Sequence, residues 1–150
     1  MPEINAPDLT KRAPRSPRVR LGGFVILPCM LDKGRATVAG THGEFHYNCF
    51  LDEHFVNFVG IDPAALKDQL ATGKSDAEIL AWVLTTSTRK PNTVEIATWS
   101  AYQDHRGPSD LESRQFFNDY HAKLAPHRED VFTWFDILDI DDFVTFGGRP

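Results

Sequence analysis

The sequence of 150 residues is poor in cysteine and has no long apolar segment. It contains two cysteines, Cys29 and Cys49, and its longest clean apolar run extends from Phe24 to Leu31 and includes Pro28. A helix that crosses a bilayer needs about 20 apolar residues, so we expect this run in a protein core and expect no membrane partner. Residues 1–20 also lack the apolar stretch of a secretory signal. The sequence therefore predicts a cytoplasmic protein whose two thiols are reduced.

Several motifs of catalysis and nucleotide binding are absent as well. The chain contains no GxGxxG, P-loop, GxSxG or CxxC pattern. These absences count against dinucleotide binding, nucleoside triphosphate binding, serine hydrolysis and thioredoxin-like redox chemistry. The remaining residues do not indicate a particular cofactor, so the cofactor is unknown from the sequence.

The net charge of −5 is the sum of a basic leader and an acidic body. Residues 1–20 hold five Lys and Arg against two acids, a charge of +3, so residues 21–150 hold eleven against nineteen, a charge of −8. An acidic body repels phosphate backbones, and we therefore expect no nucleic-acid partner. The Pro-rich leader would lie across the body, contact an anionic partner or remain solvated, and a solvated, extended leader is what we expect.

The chain has enough apolar material for one core. Hydrophobic residues make up 41% and aromatic residues 11% of it, and domains of this size commonly fold alone. We predict a leader over residues 1–20 and a single globular helical domain over residues 21–150. Three tryptophans are expected to pack in the core, namely Trp82, Trp99 and Trp134.

Four helix start signals follow one another in the middle of the chain. Asp62 is a suitable N-cap before Pro63, which is favourable in a first helical turn. Three capping boxes, in which two side chains satisfy each other's free backbone N–H groups, are predicted for Ser75 with Glu78, Asn92 with Glu95, and Ser109 with Glu112. Apolar residues at helical spacing follow each signal. The sequence therefore predicts a mainly α protein of about six to seven short helices.

The first helix is predicted over Leu27–Ala39, with Gly40 as its end. A hairpin made from residues 36–39 and 44–48 is the competing interpretation, because Gly34 weakens a helix. Residues 44–49 alternate between polar and apolar side chains, which is typical of a strand. We therefore include a short extended segment or hairpin near residues 36–49 in the predicted fold.

Two further elements are predicted at either side of the four helices. A short helix over Leu51–Val59 would have Asp52 as its N-cap and would end at Gly60. Residues 131–146 are apolar almost all round, so they form either a deeply packed helix or a strand. We favour a helix docked into the core.

Chemically capable side chains are densest between residues 32 and 54. His46 or His54 with a carboxylate would form an acid–base pair while a cation holds an anionic substrate, and Cys49 beside a histidine would be a nucleophile. The candidate catalytic residues are His46, Glu44, His54, Asp52 and Cys49. The candidate substrate-binding residues are Lys33, Arg35 and Asn48.

We assign no metal site from the sequence. Imidazole and carboxylate ligands are available, but the spacing of His42, Glu44, His46 and His54 matches no established signature. His42 and His46 would share a face only on a helix, and Gly43 argues against a helix there. The acidic tail, with Asp136, Asp139, Asp141 and Asp142, lacks the loop pattern of an EF-hand. It is better explained by helix capping, pairing with Arg128 or solvation.

Most of the chain resembles a bacterial protein family known as domain of unknown function 5069. The resemblance extends from Leu21 to Asp142 and is carried by DKGRA at residues 32–36, GEF at 43–45, CFLD at 49–52 and WFD at 134–136. The chain differs from the family pattern at Cys29, where a basic residue is usual, and at Phe50, where a proline is usual. The resemblance implies a one-domain bacterial protein and no particular reaction.

Two classes of function remain open from the sequence. The first is a small-molecule-binding protein or small enzyme, with a polar pocket near residues 32–54 that takes a small anionic molecule. The alternative is a protein–protein interaction module without catalytic activity, which would expose a sizeable apolar patch.

Overall fold

The computed structural model describes residues 3–150, and within that range the chain forms seven α-helices. They are α1 (Leu27–Ala39), α2 (Phe50–Val59), α3 (Pro63–Ala71), α4 (Asp76–Thr86), α5 (Thr93–His105), α6 (Leu111–Leu124) and α7 (Trp134–Thr145). The described residues contain no strand, only an isolated bridge between Leu21 and Phe24. The predicted mainly α class is therefore confirmed. No helix in the described part of the chain is both long and apolar enough to cross a membrane.

The chain divides into two compact units, one extending to Ser100 and the other running from Ala101 to Pro150. Each unit is described by itself. The predicted division into a leader and a single domain remains a prediction.

The first unit is built on α1, which packs against α2 and α3, while α3 packs against α4. Phe24 lies at the centre of its aromatic core, with its ring 5.3 Å from that of Phe55 in an edge-on arrangement. The rings of Phe58 and Trp99 stack at 4.7 Å. Such pairs add to the stabilisation from burial alone. The expected core role of Trp99 is thus confirmed.

Helix α1 has the predicted bounds. Gly40 ends it in the left-handed conformation, with φ 74°, which a glycine adopts without a steric penalty. The competing hairpin does not form. Gly34, which weakened the helix prediction, lies where a Cβ atom would be 2.4 Å from Leu70 Cδ1 of α3. The glycine therefore permits the close approach of α3 to α1.

The predicted extended segment over residues 44–49 does not form a strand. Gly43 and Asn48 both have positive φ, 56° and 59°, so the backbone turns rather than extends. Helix α2 begins at Phe50 instead of Leu51, and its N-cap is Cys49 rather than Asp52. The alternation of polar and apolar residues here reflects successive turns, which mimic the period of a strand.

Most of the predicted helix caps are confirmed. Asp62 caps α3 and accepts the N–H of Ala64, and the boxes of Ser75 with Glu78 and of Asn92 with Glu95 are both formed. The third box was wrong by one residue. Its members are Asp110 and Ser113 rather than Ser109 and Glu112. A carboxylate and a hydroxyl one position further along satisfy the same backbone groups.

We expected a solvated, extended leader, and this expectation is wrong. Leu9 is 1% exposed, and its N–H donates to the carbonyl oxygen of Thr41 at 2.8 Å. The Thr41 hydroxyl donates in turn to the carbonyl of Pro7 at 2.9 Å, and the Ile26 N–H donates to Pro17. The prolines leave carbonyl groups free to accept from the body, and this holds the leader against the first unit.

The second unit is formed around α6 and α7, which pack against each other. Its core consists of Phe117, Ala125, Val131, Ile137 and Ile140. Trp134 packs against this core, with its ring 5.3 Å from that of Phe117. Thr133 and Asp136 form a capping box at the start of α7. The favoured helix in the tail is therefore confirmed, while Arg128 pairs with Asp130.

Candidate functional site

Four of the predicted site residues meet at a buried ion pair between α1 and α2. The Lys33 ammonium lies 2.9 Å from Asp52 Oδ1, and these side chains are 4% and 0% exposed. Lys33 Nζ also donates to Cys49 Sγ at 3.1 Å. The second carboxylate oxygen of Asp52 accepts the backbone N–H of Asn48 at 2.9 Å. We call Lys33, Cys49 and Asp52 the buried cluster.

The start of α2 explains how the buried cluster assembles. Cys49 is the N-cap and Asp52 lies in the first turn, where a carboxylate interacts favourably with the free N–H groups of the helix. Asn48 takes the left-handed conformation that asparagine tolerates better than most residues. The turn aims both side chains at Lys33 in the middle of α1.

Burial and charge act in opposition on the ion pair. Burial is the largest single effect and lowers the pKa of Lys33, but the charge and hydrogen bond of Asp52, together with the nearby Cys29 and Cys49, raise that pKa above its ordinary value. Burial raises the pKa of Asp52, and the neighbouring Lys33 only partly opposes this. Each charge of the pair therefore depends on the other.

The remaining candidate catalytic residues do not join this pair. Glu44 and His46 are exposed, and His54 is half-buried. His42 Nδ1 donates to the carbonyl oxygen of Phe45 at 3.1 Å. Among residues 3–150, no group of three or more His, Cys, Asp and Glu side chains is placed to hold a metal ion. The catalytic assignments stay predictions.

A second cluster of charges lies where the leader meets α1 and α4. The Arg15 guanidinium donates to Asp32 and, at 2.7 Å, to Asp76. Its backbone N–H also donates to Asp32 at 2.8 Å. Arg35 donates to Asp76 at 2.7 Å and to the carbonyl oxygen of Lys74 at 3.1 Å. We call the side chains of Arg15, Asp32, Arg35 and Asp76 the arginine network.

The arginine network shifts the acidity of its members. Burial raises the pKa of Asp76, but hydrogen bonds from Arg15 and Arg35 outweigh this and hold it below the ordinary value. Burial lowers the pKa of Arg15, and the bonds to Asp76 and Asp32 more than reverse that effect. Charge-assisted bonds of this kind are stronger than neutral ones. The network therefore fixes the leader on the first unit.

A cavity of about 540 Å³ opens beside the arginine network. Its wall combines the leader, α1 and the turn before α4, and it carries four cationic side chains and two carboxylates, an excess of two positive charges. The charged lining residues are Arg12, Arg15, Arg35, Lys74, Asp32 and Asp76. The cavity is therefore an electropositive site on a chain whose net charge is −5.

The cavity only partly coincides with residues 32–54, where the sequence predicts a polar pocket. Arg35 was a candidate substrate-binding residue and does line the cavity, together with Asp32. Lys33 belongs to the buried cluster instead, and the backbone N–H of Asn48 donates to Asp52 of that cluster. Arg12, Arg15, Lys74 and Asp76 were missed. The basic residues of the leader were the available signal, since one interpretation placed them across the acidic body.

Comparison with known proteins gives a family but no activity. The family described as Domain of unknown function (DUF5069) matches residues 11–144. A search of curated proteins finds no match.

Proposed function

The chain belongs to the DUF5069 family, whose description names no reaction, and we propose from the geometry of its own residues that it binds a small anionic molecule in the cavity beside the arginine network. The carrying observation is the excess of two positive charges on the wall of that 540 Å³ cavity. Ligand pockets of a few hundred Å³ with a few convergent polar groups are typical of small-molecule sites.

The lining cations have different partners. Arg15 and Arg35 are held by Asp32 and Asp76, so their charge is largely balanced. Arg12 is exposed on the leader, and Lys74 contacts the side-chain oxygen of Gln69, which is neutral. Arg12 and Lys74 therefore supply the excess positive charge of the cavity lining. A carboxylate or phosphate group is the ligand chemistry that such side chains recognise.

Removal of the charges of Arg12 and Lys74 tests this proposal. We expect a panel of small carboxylates and phosphate esters to contain a class that raises the melting temperature of the wild-type chain. The double variant Arg12→Gln, Lys74→Gln should lose that shift. The matched control, Lys11→Gln with Arg89→Gln, removes the same charge from residues outside the cavity and should keep it.

Two results would count against an anion-binding cavity. One is a wild-type chain that no member of the panel stabilises. The other is a control variant that loses the shift as fully as the cavity variant, since this would reduce the effect to net charge.

The cellular setting belongs to the proposal too. We keep the cytoplasm of a bacterium as the expected location, and the free thiols of Cys29 and Cys49 are compatible with a reducing compartment.

A second candidate function, docking of another protein, is favoured by the surface of the second unit. Four of its large apolar side chains are well exposed, namely Tyr102 at 62%, Leu111 at 67%, Phe116 at 62% and Phe132 at 71%. Residues 101–150 contain five Lys and Arg against ten acids, whereas residues 1–100 contain eleven of each. The fitting partner is a basic segment with apolar side chains.

Peptide binding tests this second function separately from anion binding. A basic amphipathic peptide should bind the chain in fluorescence anisotropy, and an acidic peptide of equal apolarity should not. Phe116→Ser with Phe132→Ser should weaken binding, while Phe50→Ser, at the 87% exposed position of the first unit, should not. Equal binding of both peptides would rule the surface out.

A further inference from the structure

The buried cluster is not used by the anion-binding proposal. Lys33 Nζ and Cys49 Sγ are held 3.1 Å apart, although α1 and the start of α2 are distant in sequence. Lys33 is 4% exposed, whereas Cys49 is half-buried. A buried amine is therefore in contact with the thiol of a partly exposed residue.

We propose that Lys33 and Cys49 form a modification site, at which hydrogen peroxide converts their contact into a covalent, thiol-reversible sulfur–nitrogen crosslink. The oxidant is a peroxide, and no metal or cofactor is needed. Sulfenic acids are known to condense with a neighbouring nitrogen to give a sulfenamide, and the geometry supplies that nitrogen at contact distance.

The chemistry balances in two steps. In the first, the Cys49 thiolate attacks one oxygen of peroxide, the O–O bond breaks, and the hydroxide released takes a proton to become water. Sulfur is oxidised to a sulfenic acid and peroxide is reduced. In the second, the Lys33 ammonium first passes one proton to Asp52, which leaves a free amine. The lone pair of Nζ attacks the sulfenic sulfur, the S–O bond breaks, and the hydroxyl leaves as water with a second proton from the nitrogen. The S–N bond remains.

The surroundings of the pair suit both steps. Cys49 is the N-cap of α2, and its sulfur is in contact with Lys33 Nζ at 3.1 Å. Asp52 Oδ1 lies 2.9 Å from Lys33 Nζ, so the acceptor of the first ammonium proton is already in contact with the donor. Burial makes Asp52 a better base than an exposed aspartate, because it raises the pKa of that carboxyl.

Cys29 provides the competing product. It lies four residues before Lys33 in α1, on the same helix face. A sulfenic acid on Cys49 would form a disulfide if Cys29 reached it before Lys33. The two products differ in a way that tryptic digestion resolves, because a modified Lys33 is no longer cleaved.

Peptide mapping of the oxidised full chain tests the proposal. The reduced protein is treated with hydrogen peroxide, blocked with a thiol reagent and digested with trypsin. The expected product joins residues 21–35, uncut at Lys33, to residues 36–67, and a thiol reductant separates them. The Cys29→Ser variant should give this product, and Cys49→Ser should lose it.

Three results would overturn the proposal. The first is a disulfide that joins residues 21–33 to 36–67, which leaves Lys33 cleavable. The second is a Cys49 carried to sulfinic acid, or left unchanged, with Lys33 free. The third is a crosslinked pair that retains one oxygen, which contradicts the condensation step. Peroxide treatment in denaturant is the geometric control, and the crosslink should be lost there.

Discussion

At the scale of single residues, the Lys33–Asp52 pair is the most demanding feature of the fold. Both side chains are buried, and the removal of two charges from water costs free energy that their attraction must recover. The additional bond from the Asn48 N–H to Asp52 satisfies a second lone pair. The ion pair is therefore stable only while both charges and the hydrogen bond from Asn48 are present.

The loss of one partner should cost much more than the loss of both. We expect Asp52→Asn to lower the free energy of unfolding by about 3 kcal/mol, because the Lys33 ammonium stays buried without a counter-charge. The double variant Lys33→Met, Asp52→Leu should be less destabilised than this single variant. Urea unfolding at neutral pH measures both.

The neighbouring carboxylate is the control for this experiment. Glu53 is exposed, so Glu53→Gln should change the unfolding free energy by no more than about 0.5 kcal/mol. If Asp52→Asn were as mild as Glu53→Gln, the buried pair would contribute nothing to stability.

At the scale of secondary structure elements, local chemistry determined most of the fold. The bounds of α1 follow from Pro28 and Gly40, and the starts of α3, α4 and α5 follow from side chains that cap backbone groups within four residues. These interactions are short in sequence, so they can be predicted. Residues 44–49 could not be, because a series of turns and a strand share the same alternation.

The start of α6 allows a test of which residue caps this helix, Ser109 or Asp110. Asp110, rather than Ser109, accepts the Ser113 N–H, at 2.7 Å. We therefore expect Asp110→Ala to destabilise the chain by about 1 kcal/mol, with Ser109→Ala close to neutral. Thermal or urea unfolding of the two variants measures the difference, and the reverse order of effects would restore the cap predicted from the sequence.

Gly34 tests the packing of α1 against α3. An alanine would favour the helix by about 1 kcal/mol, yet its Cβ would lie 2.4 Å from Leu70 Cδ1. We expect Gly34→Ala to be destabilising overall, by about 1–3 kcal/mol. A double-mutant cycle with Leu70→Ala should show a favourable coupling in urea unfolding, since the shorter side chain relieves the overlap. Additive effects would place the cost elsewhere.

At the scale of the whole molecule, the candidate site depends on contacts that no local pattern reveals. Arg15 is 17 residues from Asp32 and 61 from Asp76, and the cavity exists because the leader, α1 and the turn before α4 come together there. A basic, Pro-rich leader has no periodicity that reveals its docking. The sequence therefore indicated the charged side chains of α1, but not the leader and the turn before α4 that complete the wall of the cavity.

Acid should release the leader from the first unit, because Asp76 loses its charge at low pH. Its pKa in the folded chain lies below the ordinary value of 3.8, so its contribution to stability is present above about pH 4 and is lost as the pH falls through the folded value. Protonation removes the charge that binds Arg15 and Arg35. We expect the Leu9 and Arg15 amides, which bond to Thr41 and Asp32, to lose hydrogen-exchange protection over that range.

The Asp76→Asn variant distinguishes this network from general acid denaturation. Its leader amides should already be less protected at pH 6 and should depend less on pH, whereas Glu3→Gln, at an exposed leader position, should follow the wild type once intrinsic exchange rates are corrected. Several other carboxyls also have a lowered pKa, among them Asp110 and Asp130, so the melting temperature alone would not isolate Asp76. Parallel loss of protection in the leader and throughout the core would mean that the arginine network does not control leader docking.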